Sequence, residues 1–430
     1  MDKIVIEGGR ALRGSVAASG AKNAALPILI ATIVAPGEHR IANVPYLADV
    51  SSTLSLLGRI GCPSLAEEGS KLMRVDTSRV AFSEAPYDVV RKMRASVLVL
   101  GPLLARMGHA KVSLPGGCAI GTRPIDQHLK GLEALGCTFK LEGGYVYGRT
   151  EGLRGAEMTL DMPTVTGTEN IVSAAVLADG TTVIHNAAKE PEVVDLCRFL
   201  VALGARIEGA GTDTIVIEGV PRLAPPARPY RICPDRIETG TYLCAAAATG
   251  GDVTVTDTDP TLLGAVLDKL RATGCTVETT ASTIRVAANG PLRGIDVTTE
   301  PYPGFPTDMQ AQLMTVACLA EGESRFCETI FENRFMHAAE LLRMGARIEI
   351  HGNTATVHGN GKLVGSPVMA SDLRASAALV VAGLAAQGTT DVLRIYHLDR
   401  GYEDMVGKLQ KLGGNVSRGE EGGKKGASAA

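Results

Sequence analysis

Leu132-Glu133-Ala134-Leu135-Gly136-Cys137 decides the fold, because its pattern occurs six times in the chain. It closes a helical pattern on a glycine, and a strand pattern follows. The same ending returns as Leu57-Gly58-Arg59-Ile60-Gly61-Cys62 and Leu200-Val201-Ala202-Leu203-Gly204-Ala205. Three further copies are Leu270-Arg271-Ala272-Thr273-Gly274-Cys275, Leu342-Arg343-Met344-Gly345-Ala346 and Leu409-Gln410-Lys411-Leu412-Gly413-Gly414. The glycines at 61, 136, 204, 274, 345 and 413 lie 75, 68, 70, 71 and 68 residues apart. A fixed period of this length marks a repeated supersecondary unit.

Between these endings lies a second recurring element. Residues 23–34, 93–107, 168–178, 239–248, 308–320 and 373–386 are apolar, alanine-rich helical runs. A helix apolar all round is buried, whereas the helices ending at the six glycines carry one apolar stripe and belong between core and solvent. Glycines 37, 108, 180, 250, 322 and 388 close the apolar runs and are read as left-handed caps. Each copy therefore reads as a βαβαββ unit of ~70 residues, an α/β class with buried helices and outer sheets, the inverse of a (β/α)₈ barrel.

The proline-rich stretch from Pro221 to Tyr230 reads as a stiff crossing between repeats three and four. It predicts one domain of residues 22–229 and a second of residues 1–21 with 230–418. The N-terminal strand Lys3–Glu7 is expected to complete the second domain, and residues 419–430 to be a disordered tail.

Composition excludes several function classes. A net charge of -3 leaves no basic footprint, so nucleic-acid binding is not expected. The longest apolar stretches, Ala24–Pro36 and Ala375–Ala386, are too short for a membrane span. MDKIVIEGG carries an acid at position 2, so no signal peptide is read. Nine cysteines occur without CxxC or Cys/His metal spacing, the usage of a reduced, cytoplasmic chain without a metal site.

Chemistry is read from the helix starts. Thr168, Thr239 and Asp308 fit N-cap or first-turn positions, and Asp49, Glu192 and Asp259 fit acids that complement a helix dipole. Lys22, Arg94, Arg123, Arg334, Arg374 and Arg400 are different. A cation at a helix N-terminus opposes the dipole, so a set of them points to a phosphate- or carboxylate-bearing ligand. Cys118 follows Pro115-Gly116-Gly117, five residues before Arg123, on a glycine-rich loop expected to be mobile. Nearby cations favour its thiolate and give it a chemical role.

Three stretches carry a resemblance: Ser19-Gly20-Ala21-Lys22-Asn23-Ala24-Ala25-Leu26-Pro27, residues 115–126 around Cys118, and Pro303-Gly304-Phe305-Pro306-Thr307-Asp308-Met309-Gln310. They resemble the UDP-N-acetylglucosamine 1-carboxyvinyltransferases, the enolpyruvyl transferases of peptidoglycan synthesis, over essentially residues 1–418. The resemblance implies a two-domain inside-out α/β barrel, three repeats per domain, with the active site between the domains. It implies transfer of the enolpyruvyl group of phosphoenolpyruvate to the 3′-hydroxyl of UDP-N-acetylglucosamine with release of phosphate. Neither metal nor organic cofactor is implied.

By the same resemblance Asp308 is the base and Cys118 the acid. Cys118 is also the site of a covalent phosphoenolpyruvate adduct and the target of fosfomycin. Lys22, Arg123 and Arg400 would hold phosphoenolpyruvate. Asn23, Arg94, Arg123, Pro124, Ile125, Asp126, Gln127, Thr164, Val165, Thr166, Gly167 and Ile330 would hold the sugar nucleotide, with Arg374 near the reacting centre. Residues 112–126 would form a lid. Two alternatives are a transferase acting on shikimate 3-phosphate, which lacks the Pro-Gly-Gly-Cys loop, and a non-catalytic sugar-nucleotide-binding paralogue, which would lack Cys118, Asp308 or Lys22.

Overall fold

The structure, a computed structural model, describes residues 2–67, 69–90, 94–114 and 125–420. These divide into two compact units: residues 19–114 with 125–235, and residues 2–18 with 236–420. The divisions fall at 18/19 and 235/236, where the sequence suggested 21/22 and 229/230.

The six repeat glycines carry the geometry that the repeat needs. Gly61, Gly136, Gly204, Gly274, Gly345 and Gly413 all have φ between 87° and 107°. That left-handed region lets the chain leave a helix and turn into a strand without a Cβ clash. Four of the glycines read as caps of the apolar helices do not cap them: Gly322 lies inside strand Glu321–Cys327, and Gly37, Gly180 and Gly388 lie beyond the C-caps Ala35, Val176 and Ala386.

Among the described residues each unit holds three four-stranded sheets, and no sheet closes into a barrel. All six share one pairing scheme. A short edge strand runs parallel to its neighbour, and the other pairs are antiparallel. In the third repeat Glu157–Thr159 leads through the buried helix Val165–Ala175 to Thr181–His185, and the strands pair Glu157 to Val183. A parallel pair needs such a crossover, and the buried helix supplies it.

Two edge strands are exchanged along the chain. Arg13–Ala17 precedes the buried helix Lys22–Ala31 in sequence, yet it pairs with Asp252–Thr256 inside the unit of residues 2–18 and 236–420, to which that helix does not belong. Tyr230–Arg231 precedes the buried helix Arg236–Ala248, yet it pairs with Glu38–Ala42. Strand Asp2–Glu7 lies between Thr389–Leu393 and Asn415–Glu420, with Ile4 facing both Val392 and Arg418. Its alternation explains the placement: Ile4 and Ile6 are fully buried, and Asp2 and Glu7 exposed. The tail is ordered further than expected. Val5 pairs with Ser417 and Asp2 with Glu420, and the remainder, 421–430, lies outside the described residues.

The buried helices behave as their composition requires. Every residue of Arg236–Ala248 and of Gln310–Cys318 is buried. The run expected over 93–107 is split into a 3₁₀ segment Arg94–Val99 and an α-helix Leu100–Met107. Pro102 falls in the first turn of the α-helix, where its missing N–H has no intrahelical partner to lose. Gly108 ends that helix at φ 72°, as expected. Thr168 and Thr239 fall inside helices rather than at caps; their hydroxyls meet Ala188 N–H at 3.1 Å and the Thr258 hydroxyl at 3.0 Å.

Candidate active site

In the unit of residues 2–18 and 236–420, chemistry gathers where the buried helices begin. Asp308 lies in the 3₁₀ turn Thr307–Met309, ahead of Gln310–Cys318. Arg334 Nη2 donates to its Oδ1 at 2.8 Å and Arg374 Nη2 to its Oδ2 at 2.9 Å. Both guanidinium side chains are 4% exposed and the carboxylate 27%, so the acid is the part that solvent reaches.

A second tier fixes the cations. Arg374 is the second residue of helix Leu373–Ala385, but Asp372 Oδ1 caps that helix by accepting from Arg374 N–H (2.9 Å) and Ala375 N–H (3.0 Å). Its Nη1 donates to the Tyr402 hydroxyl at 3.3 Å. Tyr402 in turn meets Thr241 Oγ1 at 2.9 Å and Gln312 Nε2 at 3.3 Å, while Gln312 Nε2 also donates to Asp308 O at 3.0 Å. The carboxylate of Asp308 is thus held by Arg334, from the turn ahead of helix Met336–Arg343, and by Arg374, and its backbone carbonyl by Gln312 of the helix that follows it.

The unit of residues 19–114 and 125–235 carries a second charged pair. Lys22 opens helix Lys22–Ala31, where Ala21 provides no side-chain cap. Its backbone N–H donates to Asp235 Oδ2 at 3.3 Å, and its Nζ lies 2.6 Å from Asp49 Oδ2. The two side chains of the pair are 11% and 4% exposed. Asp49 is therefore more than a dipole complement; it is a buried counter-ion. The same revision covers the cations as a group. Lys22, Arg334 and Arg374 face carboxylates of this chain, and Arg400 ends the 3₁₀ segment Ile395–Arg400 instead of starting a helix.

The same unit carries most of the residues expected at the sugar nucleotide. Gln127 Nε2 donates to Asp161 Oδ2 at 2.8 Å and to Asp126 Oδ2 at 3.2 Å, and Gln127 Oε1 accepts from Asp161 N–H at 2.9 Å. Thr164 caps helix Val165–Ala175 by accepting from Gly167 N–H at 3.2 Å, so its hydroxyl serves the helix. Asn23 and Val165 are half-buried, Ile125 is half-buried just ahead of helix Asp126–Ala134, and Asp126 is exposed. Ile330, in the other unit, donates its N–H to Glu328 at 2.9 Å. Arg94 opens its 3₁₀ segment. The expected roles of Cys118, Arg123 and Pro124, and of the Arg94 side chain, lie outside the described residues.

His128 joins two of these elements. Asn170 Oδ1 accepts from Gly101 N–H at 2.7 Å, and its Nδ2 donates to Val97 O at 3.1 Å, which fixes the amide. That Nδ2 also lies 3.0 Å from His128 Nδ1, so Nδ1 accepts and Nε2–H donates to Thr166 Oγ1 at 3.2 Å. Burial pushes His128 down to about 4 from 6.5, against the smaller opposing pull of Asp126. A histidine lowered in the folded state stabilises the fold above its unfolded pKa, and loses that contribution as pH falls from 6.5 toward 4. The loss is about 3 kcal/mol. Urea melts at pH 7 and pH 4 are expected to show that much more destabilisation for the parent protein than for His128→Gln; equal losses would contradict it.

Sequence reasoning flagged Arg334 as a helix-start cation without giving it a place in the site, and gave none to Tyr402, Gln312 or Thr241. Gln312 is four residues from Asp308 and one helical turn on, whereas Arg334, Tyr402 and Thr241 reach that neighbourhood only in three dimensions. A cavity of about 580 Å³ lies elsewhere, at the C-terminal ends of Leu100–Met107 and Val165–Ala175, lined by residues that include Leu104, Glu151, Leu177 and Asp179. None of the candidate residues lines it, and the helix starts govern the reading of function.

Known proteins share this fold. The crystal structure of the enolpyruvyl transferase NikO from Streptomyces tendae superposes with a TM-score of 0.87 at 27% identity, over 97% of this chain and 98% of that one. EPSP synthase from Acinetobacter baumannii shares the fold at a TM-score of 0.77 and 19% identity, over 98% of this chain and 100% of that one. Residues 6–409 match the family of EPSP synthase (3-phosphoshikimate 1-carboxyvinyltransferase). Fold and family match together define the enolpyruvyl transferase class. Within it, UDP-N-acetylglucosamine 1-carboxyvinyltransferase of Anaeromyxobacter dehalogenans (strain 2CP-C) is 58% identical over 421 residues, covering 97% of this chain and 99% of its own. The enzyme of that name from Dichelobacter nodosus (strain VCS1703A) is 56% identical, over 98% of this chain and 100% of its own. The chain belongs to the UDP-N-acetylglucosamine 1-carboxyvinyltransferase family.

Proposed function

We propose that the protein transfers the enolpyruvyl group of phosphoenolpyruvate to the 3′-hydroxyl of UDP-N-acetylglucosamine and releases phosphate, the first committed step of peptidoglycan synthesis. The observation that carries the site is Asp308, held between Arg334 and Arg374 and partly open to solvent. The two guanidiniums fix the position of the carboxylate, as a general base acting on a sugar hydroxyl requires. Asp308 takes the hydroxyl proton as the oxygen attacks C2 of phosphoenolpyruvate, and Cys118 delivers a proton to C3, giving a tetrahedral intermediate. Loss of a proton from the new methyl group and breakage of the C2–O bond to phosphate complete the transfer.

Lys22, Arg123 and Arg400 hold the phosphate and carboxylate of phosphoenolpyruvate. Asn23, Arg94, Pro124, Ile125, Asp126, Gln127, Thr164, Val165, Thr166, Gly167 and Ile330 hold the sugar nucleotide, and Arg374 orients the base. A cytoplasmic location fits the eight free thiols among the described residues. No described helix is long and apolar enough to cross a membrane, and no described cluster could hold a metal ion.

The deciding assay follows phosphate release with phosphoenolpyruvate and either UDP-N-acetylglucosamine or shikimate 3-phosphate. Release with the first is expected, and release with the second alone would move the protein to the sister activity. Fosfomycin tests Cys118. Burial pushes Cys62 up to about 11, and Cys137, Cys197 and Cys318 up to about 12, so these thiols are poor nucleophiles at neutral pH. One fosfomycin adduct per chain is expected by intact mass, absent in Cys118→Ser; an adduct that survives the substitution would assign labelling to another thiol.

A further inference from the structure

Glu328 follows strand Glu321–Cys327 and is 3% exposed, although nothing in the chemistry above uses it. Its carboxyl group collects four hydrogen bonds from three segments. Oε1 accepts from the Thr299 hydroxyl at 2.8 Å, from Ile330 N–H at 2.9 Å and from Phe331 N–H at 3.2 Å. Oε2 accepts from the Thr307 hydroxyl at 2.9 Å. Thr307 is the neighbour of Asp308 in the 3₁₀ turn, and Ile330 belongs to the loop assigned to the sugar nucleotide.

One buried side chain thus ties the turn that carries the base to the loop expected to present the sugar. The surroundings reinforce both ends. Thr329 N–H donates to Thr299 Oγ1 at 2.9 Å, and Glu328 N–H to Asn353 O at 2.8 Å, so the carboxyl is anchored at its own backbone as well. Arg334 over the Phe331 ring, at 5.4 Å, brings the loop back to a guanidinium that holds Asp308.

We propose that Glu328 is a positioning residue for the transfer: it sets the register between the Asp308 carboxylate and the hydroxyl acceptor by clamping Thr307 and the Ile330–Phe331 amides to one carboxyl group. This rests on Asp308 being the base. Its two oxygens divide the work. Oε2 acts on the turn and therefore on the proton transfer, whereas Oε1 acts mainly on the loop and therefore on sugar-nucleotide binding. Glutamine conserves the arrangement, because its Oε1 can accept the same three bonds and its Nε2 can donate to a Thr307 hydroxyl that rotates to accept.

Steady-state kinetics of full-length Glu328→Ala, Glu328→Gln and Thr307→Val, with phosphoenolpyruvate and UDP-N-acetylglucosamine, test this. A displacement of the order of 1 Å at a reacting group lowers rate by about 100-fold, which is the kcat loss expected for Glu328→Ala, together with a raised KM for the sugar nucleotide. Thr307→Val severs the turn alone, so about 10-fold is expected in kcat with KM for the sugar nucleotide unchanged. Glu328→Gln is expected to restore both parameters nearly to the parent values. A purely structural carboxyl would lower the fraction of folded protein in Glu328→Ala, without the kcat-against-KM split between it and Thr307→Val.

Parent-like kcat in Thr307→Val, or no rescue by glutamine, overturns the proposal. Should Glu328→Ala fail to fold, the other two variants still decide it. Asp308→Ala is run beside them. If it keeps parent turnover, the base assignment has failed; if it loses turnover while Thr307→Val does not, only the Glu328 proposal has failed.

Discussion

Asp308→Ala is expected to lower turnover by about 10²–10⁴-fold, the usual contribution of a positioned general base. Binding of UDP-N-acetylglucosamine, read by calorimetry, is expected to stay close to the parent value, because the residues assigned to the sugar nucleotide are mostly elsewhere in the chain. The same substitution has a second consequence. It removes the carboxylate that Arg334 and Arg374 share, and both guanidiniums are 4% exposed. Breaking a buried pair costs about 3–5 kcal/mol. With the carboxylate 27% exposed, about 2–3 kcal/mol is expected after screening. Asp308→Asn separates the two effects. Its one acceptor oxygen satisfies one guanidinium, while its NH₂ faces the other, so stability recovers in part and turnover does not. Near-parent phosphate release from Asp308→Ala would rule out this carboxylate as the base.

The repeat was legible because it depends on a backbone requirement. Only glycine takes φ near 90° freely, so six helix-to-strand exits leave six glycines at a constant period. The buried helices were legible from composition, since small apolar residues on every side leave no face for solvent. The strand exchange was not. Tyr230–Arg231 is two residues long and Arg13–Ala17 carries two charge-or-glycine positions at its start, so neither pattern names a partner. Which sheet each joins is set by tertiary packing, which overrides local preference.

The site was legible by residue type and not by partnership. Asp308 could be named from its motif, but its guanidiniums come from Arg334 and Arg374, 26 and 66 residues away. Arg374 looked like a cation opposing a helix dipole. In the fold Asp372 caps that helix, which leaves the guanidinium to reach Asp308. Asp49 misled in the opposite direction, since an acid in a first turn has a sufficient local explanation and its cation is visible only in three dimensions.

That cation gives the second large effect. Lys22 opposes the dipole of its own helix, yet its N–H meets Asp235 and its ammonium meets Asp49, so two carboxylates gather around one buried helix start. If the ammonium binds the phosphate of phosphoenolpyruvate, Asp49 holds it in place before the anion arrives. Lys22→Ala is then expected to lower kcat/KM for phosphoenolpyruvate by about 10²–10³-fold, the effect of losing one preorganised donor. Because the pair is 11% and 4% exposed, it is also expected to destabilise the unit by about 3–5 kcal/mol. Asp49→Asn keeps the ammonium but loosens it, so a smaller kinetic loss is expected beside a comparable stability loss. The double variant should fall short of the sum, with a coupling of about 0.5–3 kcal/mol, because one interaction is removed twice. A Lys22→Ala protein with parent kcat/KM for phosphoenolpyruvate and a lowered melting temperature would assign the pair to the fold alone, and phosphate binding would have to come from the arginines.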